Sequence, residues 1–159
     1  EFDIADYRSF FKLDPPLRSE NDRLAIIDAV NSGVIEVISS FHTPQDEESK
    51  RLPFETAAAG AVGLETLLPA SLQLFHNQSV SLAKLIKTMT LNPATLLGLP
   101  SGRITPGAPA DLIIFDTDVP FILDRERLRS KSKNTPFDGH KMQGRVMQTI
   151  VNGKTIFGG

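Results

Sequence analysis

The chain has no cysteine among its 159 residues, so neither disulfides nor thiolate metal sites are available to it. It lacks an excess of either charge. With 17 Lys and Arg against 19 Asp and Glu, the net charge is −2, which gives no electrostatic case for nucleic acid or an anionic membrane surface as a partner. Long hydrophobic runs are missing too. No uninterrupted apolar stretch approaches the roughly 20 residues that a membrane helix requires. Histidine is scarce, with His42, His76 and His140 the complete set. No basic-then-apolar leader opens the chain, and residues 1–7 read like the middle of something longer, a fragment or a processed piece. What remains is 40% apolar and 23% charged, the balance of a globular domain, and the missing thiols fit a cytoplasmic location.

Two prolines in a row, Pro15-Pro16, forbid helix and force an extended path, so a short strand over Ser9–Leu13 running into a loop is expected. Ser19-Glu20-Asn21-Asp22 fits a helix-capping pattern with an acidic first turn. The helix it starts should run to about Asn31 with Leu24, Ile27 and Val30 along one stripe, and Ser32-Gly33 should stop it. A β-branched run follows directly and predicts a strand over Val34–Ser40. Strand, helix and strand with short links point to a parallel sheet.

That second strand breaks off at Phe41-His42-Thr43-Pro44-Gln45, followed by the acidic run Asp46-Glu47-Glu48, which by itself reads as a solvated loop. In α/β barrels the carboxyl ends of strands carry the chemistry, so a site is expected here. The small residues of Phe54–Thr66 let backbone come close to something, either a ligand or a packed neighbour. Helices are expected from near Leu64 to His76 and over Leu82–Thr90. A short third one should be capped by Asn92, open on Pro93 and close at Gly98. From Ser101 the chain is rich in turns and β-formers, and a domain boundary near residue 100 divides it into 1–100 and 101–159. A strand over Ala110–Asp116, a less regular stretch over 117–142, and two β-runs flanking Asn152-Gly153 complete the second part. The last is a hairpin signal for a type I′ turn.

Gly102-Arg103-Ile104-Thr105-Pro106-Gly107-Ala108-Pro109-Ala110-Asp111-Leu112, with Asn92-Pro93-Ala94 upstream, resembles the return from barrel to sandwich of the amidohydrolase superfamily. Lys12–Arg18, Gly60–Thr66 and Ser130–Phe137 narrow the resemblance to bacterial class I dihydroorotases. The resemblance implies the carboxyl-terminal part of a metal-dependent (β/α)8 TIM-like barrel followed by strands of a small β-sandwich. It implies a cyclic-amide hydrolase that interconverts N-carbamoyl-L-aspartate and dihydroorotate in pyrimidine synthesis. It also implies zinc, whose ligands would lie mostly on residues absent from this chain, since the family's His-x-His pair and carboxylated lysine find no counterpart and no metal ligand is assigned here. Another chain carrying the rest of the barrel, a homodimer, and aspartate carbamoyltransferase are the partners implied.

Carried over position by position, the family's Asp-His-Ala-Pro-His reads Phe41-His42-Thr43-Pro44-Gln45 here. The aspartate that binds metal and shuttles a proton is Phe41, which can do neither. His42 matches the first histidine, and Gln45 replaces the one that contacts substrate. A shifted register would make Asp46 the acid, so His42 and Asp46 are the catalytic candidates. Asp14 stands where the family has a substrate-contacting asparagine. Ala59 and Gly60 fall where backbone touches substrate, and Arg18 is either a carboxylate partner or part of an ion pair. His76, as a cap or surface residue, and His140, in a polar turn, are set aside. Asp111 reads as a structural turn residue, and Arg129, Lys131 and Lys133 form a basic patch too small for nucleic acid. A degenerate, structural paralogue and a hydrolase of hydantoins are the alternatives to dihydroorotase.

Overall fold

A computed structural model describes residues 6–158, whose order is a 3₁₀ turn at Ser9–Phe11, helices α1 (Glu20–Ser32), α2 (Glu47–Arg51), α3 (Leu67–His76), α4 (Leu82–Met89) and α5 (Leu91–Leu96), strand β1 (Leu112–Ile122), a 3₁₀ turn at Arg125–Arg127, and strands β2 (Lys141–Val151) and β3 (Lys154–Phe157). Two compact units share these elements. The first holds residues 6–26, 40–67 and 122–141; the second holds 27–39, 68–121 and 142–158.

Local chemistry accounts for α1. The Ser19 hydroxyl accepts from the Asp22 amide at 3.3 Å while the Asp22 carboxylate accepts the Ser19 amide at 3.2 Å, a reciprocal capping box. Gly33, at φ +81°, turns the chain out of the helix. Of the expected stripe, Ile27 and Val30 are buried, but Leu24 is exposed. Within the second unit, Ile27 and Val30 pack with Leu72 of α3, Val80 and Leu85 of α4. The Ser81 hydroxyl caps α4 by accepting from the Lys84 amide.

Two strand expectations need correction. Ser9–Leu13 contains a 3₁₀ turn rather than a strand, because the Phe11 and Lys12 amides bond back to Arg8 and Ser9. Val34–Ser40 forms no strand either, and no parallel pair joins it to 9–13. A strand needs a neighbour to supply its ladder. Here the Ile35 amide goes to the Ala29 carbonyl at the end of α1, and the Ile38 amide to the Thr88 carbonyl of α4. Helix α3 starts at Leu67, three residues later than expected. Helix α5 starts two residues earlier than read, after Thr90, so Asn92 and Pro93 lie inside its first turn, where a missing N–H costs nothing. The Asn92 carboxamide then donates to the Glu36 carbonyl at 2.7 Å instead of capping.

The three strands form one sheet in the order β1-β2-β3, with β2 and β3 antiparallel. Asn152 and Gly153 join them with φ of 47° and 76°, both left-handed as a type I′ turn requires. β1 continues past the expected end at Asp116 to Ile122. Pro120 lies within it, and its missing N–H is tolerated because β1 is an edge. Asp111 is a turn residue, as the sequence indicated: its carboxylate accepts from the Asn152 amide at 2.7 Å.

Candidate functional site

The segment that follows the expected strand end, residues 41–46, lies in the first unit against the irregular turn region Ala58–Gly63, which connects the turns at 54–56 and 64–66. The approach is close enough to exclude side chains. A Cβ on Gly60 would stand 2.6 Å from the Thr43 carbonyl oxygen, and one on Gly63 would stand 2.4 Å from that of Ser40. Gly60 and Gly63 therefore admit a packed neighbour, one of the two uses that the sequence left open for the small residues.

The turn is held by its carbonyls. Four consecutive C=O groups accept from four different donors: Ala58 from the Lys50 ammonium at 2.8 Å, Ala59 from the Gln45 carboxamide at 2.8 Å, Gly60 from the Asn134 carboxamide at 3.1 Å, and Ala61 from the Thr43 amide at 2.9 Å. The amides of Ala58, Gly60 and Val62 are taken by the carbonyls of Ser49, Lys12 and Asn134. Those of Ala59 and Ala61 make no hydrogen bond among the described residues.

Lys50 is 3% exposed and has no carboxylate partner among the described residues. Its three ammonium donors reach the carbonyls of Ser9 at 2.8 Å, Lys12 at 3.1 Å and Ala58, which satisfies the charge with dipoles alone. Burial pushes its pKa down, and the charge of Lys12 adds to the effect. Asn134, 4% exposed, is satisfied at both ends: its carbonyl oxygen accepts from the Gln45 amide at 3.1 Å while its NH₂ reaches Gly60. The loop that carries it is pinned by Glu65, whose carboxylate accepts from the amides of Arg129 at 2.8 Å and Ser130 at 3.3 Å.

The structure thus brings His42, Gln45, Ala59 and Gly60 together. Nδ1 of His42 accepts from the amides of Gly63 at 3.0 Å and Leu64 at 3.3 Å. A neutral imidazole in that arrangement carries its proton on Nε2 and presents a donor. Phe41 has φ 43° and is 61% exposed. Asp46 is exposed and caps α2, its carboxylate accepting from the Ser49 amide at 2.8 Å, a bond that holds its pKa below the usual carboxylate range. Asp14 and Arg18 are exposed, and no described residue bonds to the Asp14 carboxylate. His140 is exposed beside Phe137, while His76 ends α3 with a buried Nε2 that has no partner among the described residues.

The residues around the turn do not fit a metal by themselves. Phe41 offers no donor atom, Nδ1 of His42 is taken by two backbone amides, and no three His, Asp or Glu side chains stand together as ligands among the described residues. Lys50, Asn134 and Glu65 are residues around the turn that sequence reasoning did not single out. Asn134 lay in plain view inside Ser130–Phe137, but its partners are 74 and 89 residues away, beyond any local pattern.

The chain matches the amidohydrolase family over residues 13–156 and belongs to it. It is 48% identical to a dihydroorotase of Ehrlichia chaffeensis over 157 residues, which is 99% of this chain and 35% of that protein. With a dihydroorotase of Aquifex aeolicus the identity is 41% over 146 residues, 92% of this chain and 34% of that one. The solved L-hydantoinase (dihydropyrimidinase) of Arthrobacter aurescens superposes with a TM-score of 0.91 at 31% identity, covering 99% of this chain and 36% of that structure. A D-hydantoinase at 23% identity and TM-score 0.84 shares the fold. The chain therefore spans about a third of the length of the curated relatives it matches, and it has the α/β fold of part of a TIM-like barrel with a small sheet, as the resemblance implied. No helix among the described residues is long and apolar enough to cross a membrane.

Proposed function

We propose that the protein to which this chain belongs is a dihydroorotase, a cyclic-amide hydrolase that interconverts N-carbamoyl-L-aspartate and dihydroorotate. The observation that carries this reading is the 48% identity to the Ehrlichia chaffeensis dihydroorotase sustained over 99% of the chain. The Ala58–Gly63 turn supports it. Dihydroorotate is a small cyclic ureide with carbonyl acceptors and a carboxylate, and a rigid turn with free amides at Ala59 and Ala61 is a surface such a molecule can bind. Gly60 already uses both its amide and its carbonyl within the chain, so in this reading Ala59 supplies the backbone donor to substrate. Gln45 spends its NH₂ on the Ala59 carbonyl and keeps its oxygen for a substrate N–H. Asp14, exposed and negative, stands where it would repel the substrate carboxylate unless a cation intervenes.

In the same reading zinc serves the whole protein, with ligands mostly on residues outside this chain, and no step is assigned to it here. Residues 1–100 belong to the barrel and 101–159 to the sandwich. A further chain carrying the rest of the barrel, assembly as a homodimer and a cytoplasmic location complete the proposal.

A second reading rests on Phe41, Gln45 and Asp14: a dihydroorotase-like protein that has lost turnover and serves a structural role beside aspartate carbamoyltransferase. Zinc content and dihydroorotate hydrolysis by the full-length protein decide between them. About one zinc or more per chain with turnover supports the enzyme; less than one zinc with no turnover sinks it. In an active enzyme, loss of turnover in Asp46→Asn, with the fold intact, would make Asp46 the acid.

A further inference from the structure

The carboxamide of Asn134 does two things at once, and both concern the proposed substrate turn. Its oxygen accepts the Gln45 amide at 3.1 Å and its nitrogen donates to the Gly60 carbonyl at 3.1 Å. Its own backbone carbonyl takes the Val62 amide at 2.9 Å. Three segments that are remote in sequence, 42–45, 59–62 and 129–134, are thereby fixed to one another through a single residue that is 4% exposed. Glu65 fixes the loop behind it through two backbone amides. No other amino acid of this size offers an acceptor and a donor in one plane. Asp keeps the acceptor and loses the donor; Ala loses both.

We propose that Asn134 is a positioning residue: it sets the register of the Gln45 segment against the Ala59–Val62 turn and so orients the groups that face substrate. The identity of that substrate rests on the dihydroorotase reading above. Because two polar groups on either side depend on it, losing the carboxamide leaves the Gln45 amide and the Gly60 carbonyl unpaired together and frees the turn to move relative to Gln45.

The test uses the full-length protein with Asn134→Ala, Asn134→Asp, and Thr135→Val as a control. Thr135 is also buried at the next position, but among the described residues its hydroxyl serves only the Phe137 amide. Amide hydrogen exchange should find the Gln45 N–H protected in wild type, unprotected in Asn134→Ala, and still protected in Asn134→Asp, where the acceptor survives. Steady-state kinetics with dihydroorotate should show KM raised about tenfold or more in both Asn134 variants, the size of one lost hydrogen bond. Thr135→Val should lower the melting temperature and leave KM alone. A merely structural role would reduce the active fraction and hence kcat, with KM unchanged, and that result overturns the proposal. So does an unprotected Gln45 amide in wild type, a measurement that does not depend on any variant folding. If wild type neither binds nor turns over dihydroorotate, the dihydroorotase reading fails instead, and the exchange pattern alone upholds or overturns the positioning role.

Discussion

Nδ1 of His42 stands 3.0 Å from the amide nitrogen of Gly63, with the Leu64 amide sharing the same acceptor at 3.3 Å. His42 thus ties its own segment to the start of the Gly63–Leu64 backbone. The expected outcome is a neutral Nε2–H tautomer, read from imidazole ¹⁵N shifts at neutral pH. Those shifts should not move when zinc is added to the full-length protein. A zinc-dependent shift at either ring nitrogen would show that His42 is a ligand after all.

Phe41 occupies a left-handed backbone conformation, φ 43°, that suits a short polar residue far better than a bulky ring. Its side chain is 61% exposed, so little packing is lost on removing it. Phe41→Asp and Phe41→Asn should therefore be neutral or stabilising by up to about 1 kcal/mol. Urea denaturation measures this directly. A loss of more than about 1 kcal/mol in both variants would mean that the ring packs against something in the full protein.

Gly63→Ala places a Cβ 2.4 Å from a backbone oxygen that cannot swing aside. The expected loss is about 3 kcal/mol, at the upper end of overpacking effects. Gly153→Ala is the control: it is left-handed at φ 76° but has open space around it, so about 1 kcal/mol is expected. A loss at Gly63 no larger than at Gly153 would show that the backbone around Ser40 yields to the added methyl group.

Lys50→Met removes three donors from the carbonyls of Ser9, Lys12 and Ala58 while keeping most of the aliphatic stem. Leaving these groups unpaired should cost about 3 kcal/mol, since water can re-enter to satisfy some of them. Thermal or chemical unfolding reads the change. An unchanged midpoint would mean that the ammonium contributes no net stability over an apolar tip.

Acid should weaken α1 and α2 from their first turns. The Asp46 carboxyl is held low by the Ser49 amide, and the Asp22 carboxyl by the Ser19 hydroxyl and amide. A carboxylate with a depressed folded pKa contributes stability above its unfolded pKa, near 3.9, and that contribution is lost as pH falls through the lower folded value. The stability gap between wild type and Asp46→Asn should therefore be largest near neutrality and close as pH falls below the ordinary carboxylate range. A gap that stays constant with pH would remove charge from the explanation of this cap.

What was legible in the sequence was local. Ser19 and Asp22 lie three residues apart, and Asn152-Gly153 writes its own turn, so α1 and the β2–β3 hairpin could be read directly. The strands expected at Ser9–Leu13 and Val34–Ser40 could not, because a β-rich run becomes a strand only when another strand lies beside it. β1 outran its expected end because pairing with a neighbour, not composition, fixes its length, and an edge tolerates Pro120. At the candidate site the small residues announced a close approach without naming what approached. The Lys50, Gln45 and Asn134 donors that hold the turn bond to it across 8, 14 and 74 residues, and nothing in a linear pattern announces such pairs.

Ala58-Ala59-Gly60-Ala61 has almost no side chains of its own, yet its path is tightly specified from outside. Its instructions are stored elsewhere in the chain. A scan that changes only these four residues would misjudge how the turn is encoded: it would register where added bulk is refused and miss where the shape comes from. Anyone seeking to reshape the turn for a different ring should begin at the donors, where a change of one atom type redraws the backbone, and leave the alanines as they are.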